Sequence, residues 1–599
     1  MFEHTAQRVS EMAKEGFERF GDYRQARAMF IKDYVGQYYA NPKGLSGEYP
    51  INLVYLAIRS LVPNLVMREG MNKVITDVLA HREYAELLGL ALNRLQKQLK
   101  MKRKLRAGIV DMCFAFAVFK TSLAASGNLL PGDDDINIDP GQVYTELIDL
   151  DDFVFDPLSK SFDTASFLGH RVAVSRYKLL EEQEGWNKDL VLKLPAISDS
   201  TRDDERVDQL SQKDNDASAT RDMQEEVEIV ELWIPEAQQI CYIPNPYDVA
   251  FDKFLKIQDY YGPDEGPYTF GSLTPPVPSN PLPVAPVGVW RDINHMANRI
   301  YRKFMDQADR QKDILLYKPT YADQAQAILD TPDGNSVACD DPSAIQTVSF
   351  GGQNPENEKM LNSLHTWFNY MAGNPDQMAG VRSSASTGKA TEVQVLQSNA
   401  SVGIEDMRDI INDVAGDISA KQAWYLHTDP LIELPLTKRV AGKGEIQVWL
   451  TPEQRQGDWL EYNFEIVKRS MTVLDPAMRT KRIMEFATNV VPAAFNAGML
   501  AMQQGFPFNV PRYLMQVAEE MGIESFMDEI FEDPTFRQRM QVFAASGPQD
   551  SGKAGNSAAG AMQNNGNPMA HNIMTPNQEF NQNAQETAAI GQSAFQGMM

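Results

Sequence analysis

Apolar positions along this 599-residue chain fall into helical and strand-like periods in a definite order. Residues 51–75 are apolar around most of a helix, with Pro63 as a kink or break. Residues 83–106 predict a second helix carrying Leu87, Leu88, Leu92, Leu95 and Leu99 on one side. Its end holds Lys97, Lys100, Lys102, Arg103, Lys104 and Arg106, a run that reads either as a solvated helix face or as a contact for nucleic acid or an acidic partner. Residues 112–119 are apolar between Asp111 and Lys120. That is far short of the roughly 20 residues a membrane span needs, so the stretch predicts a buried helix or strand.

Strand signals dominate residues 140–290. Residues 143–157 alternate and end at Asp156-Pro157, while residues 227–234 and 239–243 predict a hairpin across Pro235-Glu236-Ala237. The polar stretch at about 198–226 reads as a mobile loop. Residues 274–288 hold too many prolines for a helix or central strand and read as a stiff linker or extended arm. The aspartate run 133–135 lacks the alternation and closing Glu of a calcium loop and reads as a solvated turn.

A helix is expected over 289–318, with Val289, Ile293, Met296, Ile300 and Phe304 as a single stripe. A compact insert follows at 319–353, with strand-like stretches 336–339 and 345–350, and a second helix returns over 354–373 with Met360, Leu364, Trp367 and Met371 in register. The order is helix out, small β cap, helix back. Residues 374–390 form a Gly/Ser-rich loop without apolar period, leading into a long helix from residue 391 to about 425. Strands are expected at 445–450 and 462–467 and helices from 475 to about 543. Residues 546–599, rich in Asn, Gln, Gly and Ala with four charges, read as disordered.

The formal net charge of −25 excludes a basic coat over the whole chain but not a local basic patch. A hydrophobic fraction of 43% is enough for sizeable cores. Three separated cysteines, Cys113, Cys241 and Cys339, cannot make a disulfide framework or an all-cysteine zinc site. The charged N-terminus has no apolar signal-peptide core, and the expectation is a soluble chain, intracellular at synthesis, with no membrane segment.

Catalytic motifs are missing from the pattern. The seven histidines form no HExxH, and His295 and His365 read as helix-surface residues; no GxSxG or CxxC occurs. The phosphate-loop near-match from Gly547 to Ala554 ends in Ala where magnesium needs a hydroxyl, and Gly388-Lys389 has Ser383 in place of the first glycine. No catalytic, cofactor or metal site is expected.

At this point the chain resembles the tailed-bacteriophage portal protein, the head-to-tail connector, over about residues 45–545. INLVYLAIRSLVPNLV resembles the family's N-terminal wing helices, and AGIVDMCFAFAVFKTSL its buried helix-strand, with Ala115 or Ala117 in place of the usual glycine. ELIDLDDFVFDP resembles a wing strand, and residues 289–373 resemble stem, clip and stem. SSASTGKATEVQVL resembles the tunnel loop entering the long wing helix, with Lys389 where the family favours Thr, and YNFEIVKRSMTVLDPAMR the closing wing strand.

The resemblance implies an α+β portal fold: N-terminal helices and a mixed α/β wing over 1–288, stem helix 1 over 289–318, and a small β-containing clip over 319–353. Stem helix 2 would span 354–373, the tunnel loop 374–390, the long wing helix and closing strands 391–470, and the helical crown 471–545, before the disordered tail 546–599. It also implies a non-enzymatic ring, usually a homododecamer, at one capsid vertex of the virion, assembled in the host cytoplasm. Double-stranded DNA would pass through it during packaging and ejection. Its partners would be the terminase large subunit, the head-tail adaptor, the major capsid protein and a scaffolding protein. A mostly acidic lumen with a few basic rings would centre DNA without gripping it. The candidate channel residues are Arg291, Arg299, Arg302, Lys303, Arg310 and Lys312 on the first stem segment, with Arg382 and Lys389 on the loop. The alternative for the helix cations is intersubunit pairing with Asp306, Asp309 and Asp313. Asp330, Asp333, Asp340 and Asp341 are the candidate partner-facing rim of the clip. Competing readings are a DNA-packaging ATPase or nuclease subunit, and a capsid or scaffold lattice protein.

Overall fold

The computed structural model describes residues 5–35, 51–124, 130–131, 137–138, 141–181, 185–196, 225–247, 253–350, 354–373, 375, 390–429, 432, 434–440, 444–466, 470–471, 476–503 and 510–521. The expected tunnel-loop residues Arg382 and Lys389, the expected turn at 133–135, the tail 546–599 and all but the end of the loop at 198–226 lie outside the described residues.

Two N-terminal helices, α1 (Ala6–Arg19) and α2 (Gly21–Val35), open the chain. Thr5 caps α1, and Val9, Ala13 and Phe17 bury one face of it against Val154, Phe167, Val230, Leu232 and Ile243. Contact is close enough that a Cβ on Gly16 would stand 2.8 Å from the Phe155 carbonyl oxygen. Helix α3 (Leu53–Leu65) is capped by Asn52 and carries Pro63 in its last turn. It therefore stops well before residue 75, and the chain turns into strand β1 (Asn72–Thr76), in which the period has changed from helical to alternating.

The single helix expected over 83–106 is two, α4 (Arg82–Gln98) and α5 (Met101–Phe114), broken at Lys100 in the left-handed region at φ 54°. The break has a packing reason. Leu88, Leu92 and Leu95 of α4 enter one core, with Tyr84, Tyr425 and Tyr462, whereas Met101, Leu105, Ile109 and Met112 of α5 enter another, with Leu61 and Trp290. One straight helix cannot point a continuous stripe at both.

Strand β2 (Ala117–Ala124), the short pair β3 (Leu130–Pro131) and β4 (Asn137–Ile138), β5 (Gln142–Ile148) and β6 (Phe153–Phe155) follow. The strand expected over 143–157 is divided by a turn in which Asp152 N–H donates to Asp149 O, and Arg27 gathers the carboxylates of Asp111, Asp149 and Asp151. Next come β7 (Leu168–Ser175), two short helices α6 (Arg176–Glu181) and α7 (Lys188–Val191), then β8 (Glu226–Ile234), β9 (Gln239–Pro244), β10 (Lys256–Asp259) and β11 (Tyr268–Gly271). The expected hairpin is the β8–β9 pair, turning through a 3-10 helix at Pro235–Ala237.

Apart from the β3–β4 pair, these strands make two antiparallel sheets, β10-β9-β8-β7-β6 and β11-β2-β5. Between them lies an aromatic core of Phe116, Phe153, Phe155, Trp233 and Tyr268, with Phe162 stacked on Phe270 at 4.1 Å. The proline-rich stretch crosses with a single bridge, Pro276 to Pro283, and ends where Pro286 starts the next helix.

That helix, α8, spans Pro286–Asp309. It leads through β12 (Lys312–Tyr317), α9 (Ala322–Leu329) and β13 (Ile345–Phe350) to the returning helix α10 (Pro355–Met371). The 39-residue helix α11 (Ala390–Thr428) follows, then β14 (Leu434–Val440), β15 (Gly444–Leu450) and β16 (Tyr462–Ile466), which pairs antiparallel with β1. Helices α12 (Pro476–Glu485), α13 (Val491–Gln503) and α14 (Val510–Met521) close the described chain around Phe486, Ala494, Leu514 and Ala518. Among the described residues no helix is long and apolar enough to cross a membrane.

Candidate functional site

Helices α8 and α10 pack as an antiparallel pair, because Leu364 and Phe368 of α10 close over Val287, Trp290, Ile293 and Ala297 of α8. The Trp290 indole donates to the Met371 carbonyl at 3.3 Å and meets the Phe368 ring edge-on at 6.3 Å. Asn294 and Asn298, both fully buried, tie the base of α8 to the body. Their side-chain oxygens accept the N–H groups of Leu53 and Ile51, each at 3.1 Å, and the Asn298 amide donates to Ile51 O at 2.8 Å. These asparagines interrupt the apolar period, so a stripe search that counts only apolar residues shifts register and misses Trp290.

The expected stripes are therefore only half covered. Ile293 is buried and Ile300 and Phe304 are half-buried, but Val289 and Met296 are exposed. On α10, Leu364 is buried while Met360, Trp367 and Met371 stay exposed, Trp367 at 55%. At 100° per residue these three sit about 20–60° to one side of Leu364. The apolar surface overhangs the partner helix.

The candidate cations divide. Arg291 is engaged: its guanidinium donates to the buried carboxylate of Asp33 on α2, which also meets His295 Nε2 at 3.1 Å. Arg299, Arg302, Lys303, Arg310 and Lys312 are exposed and, among the described residues, make no ion pair, neither with Asp306, Asp309 nor Asp313. Arg299, Lys303 and Arg310 fall within about 40° of one another on the helical wheel, opposite Trp290 and Ala297. Lys312 belongs to β12, since the first helix ends at Asp309 and not at 318. The run Ile314-Leu315-Leu316-Tyr317 has no helical period, and pairing with β13 takes it instead.

The insert is thus a two-stranded ribbon, Lys312 opposite Phe350 and Tyr317 opposite Ile345, continuing the helix pair. Residues 336–339 are not a strand. Gln324 of α9 occupies their polar groups, accepting from Cys339 Sγ at 3.2 Å and Asp340 N at 3.3 Å. Among the described residues of the insert only Ala325 and Ala344 are buried, while Ile314, Leu316 and Tyr317 are exposed.

Of the four candidate acids, Asp341 caps the 3-10 turn at Pro342–Ala344, accepting from Ser343 N–H at 3.1 Å and Ser343 Oγ at 2.6 Å. The Ser343 hydroxyl bond, foremost, holds its pKa below the usual carboxylate value. Asp340 accepts from Gln324 at 2.7 Å, and Asp330 from Gln326 at 3.3 Å. Asp333 is exposed, next to Gly334 at φ 87°, where the turn requires a glycine-like conformation.

A family model described as phage SU10 portal protein matches residues 134–235. The match covers β4 to β8, which include strands lining the aromatic core, and supports a phage portal protein. No curated protein matches the chain.

Proposed function

We propose that this phage portal protein forms a closed ring at one capsid vertex, through which double-stranded DNA is packaged and later ejected. In this reading α8 and α10 are the stem, the ribbon with α9 is the clip, and α12 to α14 belong to the crown. The observation that carries it is the helix–ribbon–helix excursion, with an uncovered apolar flank on α10 and, on α8, a row of cations that make no ion pair among the described residues. Uncovered Met360, Trp367 and Met371 suit burial against the next copy. Arg299, Lys303 and Arg310, opposite the packed face, suit a lumen where a few cations centre a duplex without holding it.

The clip has too small a core to be stable alone, so its ribbon edges would pair with neighbouring clips. Its outer face, with Asp333 the freest of the four acids, would dock the terminase motor and then the head-tail adaptor. Labelling a tagged chain on intact particles tests the placement. Label at a single vertex per particle is expected, and label spread over the shell, as for a lattice protein, overturns it.

A further inference from the structure

The basic run at the end of α4 is not absorbed by the stem, clip or ring. Lys97, Lys100, Lys102, Arg103 and Arg106 are exposed or half-exposed across the α4–α5 break. None of the five makes an ion pair or side-chain hydrogen bond among the described residues. The sixth cation, Lys104, turns inward and donates to the Thr145 carbonyl. Nearby carboxylates are committed elsewhere: Asp111 pairs with Arg27, and Glu146 lies in the field of Lys120 and Lys104.

Lys102 and Arg106 stand four residues apart and Arg103 and Arg106 three, so like charges are stacked on one helix face, a repulsion that no ion pair among the described residues offsets. Lys102 and Arg103 also occupy the first turn of α5, where the helix dipole disfavours cations and no acidic residue is present. In a chain of net charge −25 this is a concentrated exception.

We propose that the α4–α5 junction docks the phosphodiester backbone of duplex DNA, as a surface separate from the cation row on α8. Among the described residues no large apolar side chain of 95–107 is exposed, which favours DNA over a protein. Leu95, Met101 and Leu105 are buried and Leu99 is half-buried, so the patch is charge without the apolar centre that protein interfaces have. Contact of this kind reads backbone charge and carries no sequence preference.

The test is anisotropy of a labelled mixed-sequence duplex of about 30 base pairs with the full chain, over a salt series. Binding is expected whose log–log salt slope falls by about 3 to 4 in K97Q/K102Q/R103Q/R106Q, with affinity at low salt reduced at least about tenfold. R103K/R106K, which keeps the charge, should retain the slope. Circular dichroism confirms that the quadruple variant is folded. An unchanged slope and affinity in the folded quadruple variant overturns the proposal. So does an altered assembly mass with unchanged DNA binding, which would make the patch a contact between copies.

Discussion

Lys120 Nζ stands 2.8 Å from Glu231 Oε2, and this buried pair joins the three-stranded sheet to the five-stranded one. Burial, the largest single influence, works against both charges, yet the partner's field, the hydrogen bond between them and the neighbouring groups together outweigh it: Lys120 is held well above its ordinary pKa and Glu231 below the usual carboxylate value. Tyr144 and Tyr268 lie in the same field, and His170 bonds Tyr268 OH at 2.9 Å. The two sheets are therefore joined by an ionic pin beside their aromatic core.

Removing one partner leaves the other charge buried and unpaired. Glu231→Gln should cost about 3–5 kcal/mol, while Lys120→Met with Glu231→Leu should recover most of the loss. Denaturant unfolding of the wild type and the two variants checks this, and equal losses in the single and double variants would contradict it.

Burial pushes His170 down to about 3, with the Lys120 charge adding to the effect, and His427 is also lowered, first by burial. The unfolded chain then binds protons that the folded chain refuses. Stability should fall as pH drops from about 6.5, with a slope up to about 1.4 kcal/mol per pH unit for each such histidine. Between pH 6.5 and 5, above the range where Glu231 titrates, His170→Gln should flatten the slope. Unfolding midpoints across that window measure it.

Asn298→Ala should lower stability by about 2–3 kcal/mol, because it strips buried partners from Ile51 and from α8. Hydrogen exchange should rise first at Ile51 and Leu53, at the start of α3.

Much of this architecture is legible in the sequence where one period governs one core. The β8–β9 hairpin, the return helix α10 and the long helix α11 follow from runs whose pattern never changes. The misses come where neighbouring residues serve different cores. Lys100 breaks a stripe that looks continuous because α4 and α5 face different clusters. Asp149 splits a strand between two sheets. In the helix pair, the buried asparagines hide the true packing face, and Trp290 carries it. Arg291 looks free on a helix wheel, but its partner Asp33 lies 258 residues away in sequence. No local pattern contains that pairing.

Trp367→Asp replaces an uncovered aromatic beside Leu364 with a charge. Since it leaves Leu364 and Phe368 packed, the fold should survive while assembly weakens. Light scattering should shift toward the monomer mass, with circular dichroism unchanged.

Negative-stain imaging of the purified full chain tests the central claim most directly. Closed rings with a central channel, uniform in subunit number, are the predicted result. Monomers at all concentrations, or open sheets and shells in place of rings, would contradict the portal account.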